Sequence, residues 1–227
     1  MTKGQIYIIG NWKSNKNRQE VESWFALYSR EAASQKLTDN IEAVIAPSYI
    51  HLELAKNLIE KYHLRLKLSA QDISPFTSGS FTGQVSASML KDYVEYVIIG
   101  HSERRKNFGE DDIILTQKVK QTKEAGLASI YCIQDENTFI PPYVNIIAYE
   151  PVWAIGSGKS DSPDNANRVI GLVKQKHPDS AVIYGGSVTP DNIASFITQE
   201  YVDGVLLGGA SLNPATFSQM IKKVNSL

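Results

Sequence analysis

The stretch Tyr93-Val94-Glu95-Tyr96-Val97-Ile98-Ile99-Gly100-His101-Ser102-Glu103-Arg104-Arg105 sets an apolar, β-branched run directly against a dense polar cluster. A run that stays mostly apolar, with little alternation, suits a strand covered on both faces, as in a parallel sheet. Similar runs occur along the whole chain: Ile6–Ile9, Ile41–Ala46, Leu64–Leu68, Ala128–Ile133, Asn145–Tyr149, Ala181–Tyr184 and Val202–Leu207. With Tyr93–Ile99 they make eight candidate strands.

Most gaps between these runs carry a helical pattern. Val21, Trp24, Phe25 and Tyr28 fall at i, i+3, i+4 and i+7, and so do Phe217, Met220, Ile221 and Val224. Leu54, Ala55, Leu58 and Ile59 form another apolar face, and Val169, Ile170, Leu172 and Val173 a further one. Pro163, Pro190 and Pro214 stand where helices start, since a first-turn residue needs no N–H partner. Strands alternating with helices predict an α/β fold, and eight of them in 227 residues favour a (β/α)8 barrel over an open doubly wound sheet. No long linker or low-complexity tract interrupts the pattern, so residues 1–227 read as one domain. The exception is the connection Gln134–Val144, which contains Pro141-Pro142. A crossover with its own helix needs at least about ten to twelve residues, so at most about a turn of helix fits there.

Bulk composition narrows the function. The chain is 42% hydrophobic and 21% charged, with 23 basic and 24 acidic residues and a formal net charge of -1. That balance offers no electrostatic attraction to nucleic acid or an anionic membrane, and neither is expected as a partner. Cys132 is the single cysteine, which excludes an intramolecular disulfide and argues against a cysteine-based zinc site. No stretch reaches 18 consecutive apolar residues and the first residues carry no apolar leader, so a cytoplasmic location is the default expectation.

In a barrel, chemistry belongs at the C-terminal ends of the strands. Asn11 and Lys13 follow the first run, and His101, Ser102 and Glu103 the fourth. Glu150 ends the sixth, and Gly185-Gly186-Ser187 and Gly208-Gly209-Ala210 end the seventh and eighth. Singly, each has an ordinary explanation. A lone lysine is usually solvated, a strand-end glutamate usually a salt-bridge partner, and a Gly-Gly pair usually a tight turn. Their meeting on one rim is what structural duties alone do not require. The loops after strands seven and eight are common phosphate sites in barrels, where bare glycine backbone turns N–H groups toward an anion. The segment from Pro151 through Gly156 and Gly158 reads as an apolar lid over Glu150. A carboxylate shielded from water is a stronger base, and His101 and Asn11 are candidate donors to a carbonyl that gains negative charge. Base, donors and phosphate anchor together describe enolisation of a phosphorylated carbonyl compound.

The motifs Gly10-Asn-Trp-Lys-Ser-Asn15, Ala46-Pro-Ser-Tyr49, Ser69-Ala-Gln-Asp72, Phe81-Thr-Gly83, Val97-Ile-Ile-Gly-His-Ser-Glu-Arg-Arg105, Ala148-Tyr-Glu-Pro-Val-Trp-Ala-Ile-Gly156, Tyr184-Gly-Gly-Ser-Val188 and Leu207-Gly-Gly-Ala-Ser211 occur in one order over nearly the whole chain. In this the sequence closely resembles the triosephosphate isomerase family. The resemblance implies a TIM barrel that interconverts glyceraldehyde 3-phosphate and dihydroxyacetone phosphate in glycolysis and gluconeogenesis, with no cofactor and no metal. It implies Glu150 as base, neutral His101 as electrophile, and Asn11 and Lys13 as substrate contacts. Gly156, Ser187, Gly208 and Gly209 are then the phosphate site, with Ser102 and Glu103 behind the reacting groups and Glu103 a partner for Lys13. It also implies a homodimer through residues 71–83, with Thr82 at the loop tip.

Three departures from the family's pattern stand out. Gln84 replaces a glutamate expected to meet the partner subunit at the Arg104 position. Ser157 replaces a threonine of the lid. The helix and loop normally found before the strand leading to Glu150 are missing, and Gln134-Asp135 stands where Gly-Glu is usual. The expectation is a short turn in place of the fifth helix, leaving an uncovered groove between the helices after strands four and six. Two other readings compete with an active isomerase of this family. One is a different phosphosugar isomerase on the same barrel, and the other is a catalytically silent barrel kept for binding or scaffolding.

Overall fold

A computed structural model describes residues 4–33, 37–151 and 160–227. Its eight strands are all parallel and close into a barrel in chain order. They are β1 (Ile6–Asn11), β2 (Ile41–Ala46), β3 (Lys67–Ala70), β4 (Tyr96–Ile99), β5 (Ala128–Ile133), β6 (Ile146–Tyr149), β7 (Ala181–Tyr184) and β8 (Gly204–Leu207). Alternate residues of each strand face opposite ways, so the fold has two cores. Ile9, Val44, Ile98, Ile130, Cys132, Ala148, Ile183 and Leu206 belong to the barrel interior. Ile8, Ile45, Val97, Tyr131, Ile147, Val182 and Val205 form a larger core with the helices. Both faces of most strands are therefore apolar, which is why their runs show little alternation; β3 is the exception, with Leu68 and Ala70 in the larger core and Lys67 and Ser69 on the other face.

Around the strands lie α1 (Arg18–Ala32), α2 (Leu52–Lys61), α3 (Ala87–Leu90), α4 (Ser102–Phe108), α5 (Asp112–Glu124), α6 (Pro163–Lys176), α7 (Ile193–Ile197) and α8 (Pro214–Asn225). Helix α1 buries the four residues its periodicity predicts. Its start is closed by Asn17, whose side chain accepts from Glu20 N while the Glu20 carboxylate accepts from Asn17 N. Such reciprocal capping satisfies two amides that the helix itself leaves free. Trp24 stacks on Tyr28 and meets Trp12, Phe25 and Phe217 edge-on or tilted, locking α1 against α8. Ser162 and Asn213 cap α6 and α8, each with proline in the first turn as expected. In α6 the buried face is Ala166, Val169, Ile170 and Val173, and Leu172 lies at its edge.

Two strands begin three residues later than their apolar runs. Leu64 belongs to the end of α2: His63 turns left-handed at φ 50, and Leu64 N donates to Ile59 O at 3.0 Å. The apolar side chain there seals the helix terminus, so β3 starts only at Lys67. Likewise Tyr93 N and Val94 N both donate to Leu90 O and finish α3, and β4 starts at Tyr96.

The connection from β5 to β6 contains no helix. Asp135 and Thr138 close it into a tight turn: the Asp135 carboxylate accepts from Asn137 N at 2.8 Å, and Thr138 Oγ1 accepts from Gln134 N and Asp135 N. The short connection is as expected, but the open groove is not. The outward-facing Tyr131, Ile133, Ile147 and Tyr149 are all buried. Ile140 packs onto the core from the connection, and Arg105 lies 5.5 Å over the Tyr131 ring and donates to its hydroxyl at 2.9 Å. Lys176 of α6 ties the segment down by donating to Glu136 O at 2.8 Å. A compact turn and neighbouring side chains thus shield the strands that a full helix would otherwise cover.

Candidate active site

The C-terminal rim of the barrel holds a cleft of about 450 Å³. Asn11 and Lys13 from β1, His101 from β4, Glu150 from β6, Ser187 after β7, and Gly208 and Gly209 after β8 all line it. Ser102 and Glu103 stand behind this lining and contact its members. Gly156, Ser157 and the 152–159 part of the segment read as a lid lie outside the described residues.

Glu150 is 2% exposed, a carboxylate withdrawn from water at the end of β6. One oxygen accepts from Ser102 N at 3.2 Å, and the other lies 3.0 Å from His101 Nε2. His101 is also the N-cap of α4: its Nδ1 accepts from Glu103 N at 3.2 Å. A ring nitrogen that accepts an N–H carries no proton itself. The Glu103 carboxylate oxygen is 3.7 Å from the same nitrogen, beyond hydrogen-bond reach, so the backbone amide decides the tautomer. The imidazole is therefore neutral, and Nε2–H donates toward Glu150 and the cleft.

Lys13 adopts φ 54, a left-handed conformation that costs a residue with a Cβ about 1–2 kcal/mol. Its Nζ pairs with Glu103 Oε1 at 2.5 Å, and its N–H donates to Asn11 Oδ1 at 3.0 Å. Asn11, itself 5% exposed, is thus oriented by the turn it caps. A positive and a neutral donor, Lys13 and His101, face the same space as one buried carboxylate.

Three further residues shape the site without having been assigned roles by sequence. Cys132 on β5 faces into the barrel, and burial, followed by the charge of Glu150, pushes its thiol well above the ordinary value. Gly185 leaves room for Glu150, because a Cβ there would lie 2.8 Å from Glu150 Cγ. Gly10 lets the short helical turn Gly209–Leu212 approach β1, since a Cβ on it would meet Ser211 Cβ at 2.7 Å. A glycine inside an apolar strand was the only available signal for Gly10.

These elements, in this order around one barrel, match a family model described as triosephosphate isomerase over residues 6–139 and 143–224. The chain belongs to the triosephosphate isomerase family. Relatives bearing that name agree over almost their full length. The triosephosphate isomerase of Mesomycoplasma hyopneumoniae strain 7448 is 38% identical over 244 residues, covering 96% of this chain and 98% of the relative. That of Mycoplasmopsis pulmonis is 38% identical over 242 residues, covering 96% and 97%. That of Mycoplasmoides gallisepticum is 39% identical over 253 residues, covering 95% and 97%. These alignments are longer than the 227 residues of the chain, so the relatives carry residues that it lacks. The match to the triosephosphate isomerase model breaks at residues 140–142, inside the shortened β5–β6 connection.

Proposed function

We propose that this chain interconverts glyceraldehyde 3-phosphate and dihydroxyacetone phosphate by proton transfer through an enediolate. The observation that carries the proposal is the pairing of a buried Glu150 with the Nε2–H of a neutral His101, beside Lys13 and the glycine-rich ends of β7 and β8. Glu150 takes the proton from the carbon next to the substrate carbonyl and returns it to the neighbouring carbon. His101 donates its Nε2–H to the oxygen that becomes negative, with Asn11 as a further donor and Lys13 supplying positive field. Ser187, Gly208 and Gly209 hold the phosphate through backbone N–H groups, and the family resemblance adds Gly156, which lies outside the described residues. In the structure His101 Nε2 faces a Glu150 oxygen. Substrate takes that donor for its own oxygen and leaves the carboxylate free to act on carbon.

Two further statements belong to the same proposal. The chain works as a homodimer through residues 71–83, where Phe76 and Phe81 stack at 4.2 Å yet remain 44% and 39% exposed. Arg104 already binds Asp72 and Glu110 within its own chain, so it has no need of a partner carboxylate at position 84. The protein acts in the cytoplasm, in keeping with a single, unpaired cysteine; among the described residues no helix is long and apolar enough to cross a membrane.

The test is a coupled assay on glyceraldehyde 3-phosphate for wild type beside Glu150→Ala, with molecular mass measured in the same buffer. Turnover that collapses in the variant supports the reading. A folded wild type without activity favours a binding or scaffolding barrel, and a monomeric mass removes the dimer.

A further inference from the structure

Lys13 has left the β1–β2 ladder. The last rung joins Trp12 N to Ala46 O at 3.1 Å, and the next residue turns left-handed at φ 54. Side chains supply partners for both of its backbone groups. Its N–H goes to Asn11 Oδ1, and its carbonyl accepts from Gln71 Nε2 at 2.9 Å and, at 3.3 Å, from Ser48 Oγ. The same Gln71 nitrogen donates to Ala46 O at 2.8 Å. Both acceptors are carbonyl oxygens, so the nitrogen end of the amide must face them. Gln71 follows β3 directly, so a third strand spans the last rung of the β1–β2 ladder and the first residue beyond it.

We propose that Gln71 is a positioning residue for the reaction: its amide locks the left-handed turn of Lys13 and thereby aims the ammonium group across the cleft. This rests on the isomerase reading above. A lysine ammonium sits on four flexible methylenes, so its place is set by its two ends. Glu103 fixes the far end and the backbone turn fixes the near one. Without the Gln71 donors the turn keeps only the long Ser48 contact on its carbonyl. The backbone then relaxes toward negative φ, the Cα–Cβ direction swings, and the ammonium leaves the rim. The phosphate loop feels the same change, because Lys13 Cε lies 3.7 Å from where a Cβ on Gly208 would stand.

A double-mutant cycle separates positioning from general loop stabilisation. Gln71→Met removes both donors at similar volume, and Lys13→Met removes the group being positioned. With Lys13 present, Gln71→Met is expected to lower kcat/KM roughly 10- to 100-fold, with Tm and molecular mass unchanged. In the Lys13→Met background the same change alters kcat/KM by less than about twofold. If Gln71→Met does not fold, Gln71→Glu takes its place, since it keeps the stem and polarity but offers no donor. Equal losses in both backgrounds, or no loss with Lys13 present, overturn the proposal. Inorganic phosphate affinity is read on the same four proteins. Should the wild type fail to turn over glyceraldehyde 3-phosphate, the isomerase reading falls. The positioning claim is then decided by whether Gln71→Met weakens phosphate binding only when Lys13 is present.

Discussion

A Cβ on Gly185 would stand 2.8 Å from Cγ of Glu150 and 3.3 Å from the carbonyl oxygen of Tyr149. The end of β7 therefore sets where the carboxylate at the end of β6 can lie. Gly185→Ala forces Glu150 to give way, because the alternative is to move backbone. A base displaced by even about 1 Å loses on the order of 100-fold in rate. Steady-state kinetics of Gly185→Ala should show that loss in kcat, with a Tm close to wild type; kcat within a factor of about two would mean that the cleft absorbs the methyl group.

His101 has two duties that substitution can separate. It caps α4 through Nδ1 and faces the cleft through Nε2. His101→Ala loses both, costing about 1 kcal/mol of stability from the cap and roughly 10²–10³-fold in kcat from the missing donor. His101→Asn keeps a good capping side chain but does not reach the cleft. It should retain wild-type stability in urea unfolding while remaining as inactive as the alanine variant. Recovery of activity in His101→Asn would count against a role for Nε2.

Behind the rim lies a closed charge cluster. Lys118, with its side chain 3% exposed, places Nζ 2.5 Å from both Asp72 and Glu110, and Arg104 bonds the same two carboxylates. Lys118→Met leaves two buried carboxylates with one cation and should cost about 3–5 kcal/mol. Burial already raises the Asp72 pKa, with Lys118 the chief opposing influence. Without Lys118, Asp72 takes up a proton more readily, so the deficit should be smaller at pH 5 than at pH 8. Denaturant melts of both proteins at the two pH values measure it, and a pH-independent deficit would contradict this account.

Alkaline conditions should unfold the protein through its buried phenols. Burial raises the pKa values of Tyr28 and Tyr131, and pushes Tyr149 and Tyr184 up to about 12 from an ordinary value of 10.0. Between those values the folded chain holds protons that the unfolded chain has released, so stability falls as pH rises. It is fully present below about pH 10 and lost as pH approaches 12. Tyrosinate absorbance should appear together with loss of helix circular dichroism; a smooth titration of all tyrosines in a still-folded chain would exclude the linkage.

Much of the fold is written in local chemistry. The barrel was legible because most strands are covered on both sides, so their runs stay apolar and end where polar rim residues begin. The face of α1 was legible because Val21, Trp24, Phe25 and Tyr28 repeat at the pitch of a helix. Asn11, Lys13, His101, Glu150, Ser187, Gly208 and Gly209 could be gathered because a parallel barrel puts every strand's C-terminal end on one rim. The start of β3 was not legible, because Leu64 is apolar for the sake of the α2 terminus and not for a strand. Nor was the shielding of β5 and β6, which draws on Ile140 from their own connection and on Arg105 from α4.

Sequence alone thus determined the architecture, the family resemblance and the residues gathered at the rim, since apolar period, caps and motif order are all local properties of the chain. Tertiary structure alone decided the meeting of His101 Nε2 with Glu150, the hold of Gln71 on the left-handed turn of Lys13, and the space that Gly185 leaves for Glu150. Each of those is a contact made only when the closed barrel brings separate strand ends within a few ångströms, and no local pattern records a distance of that kind.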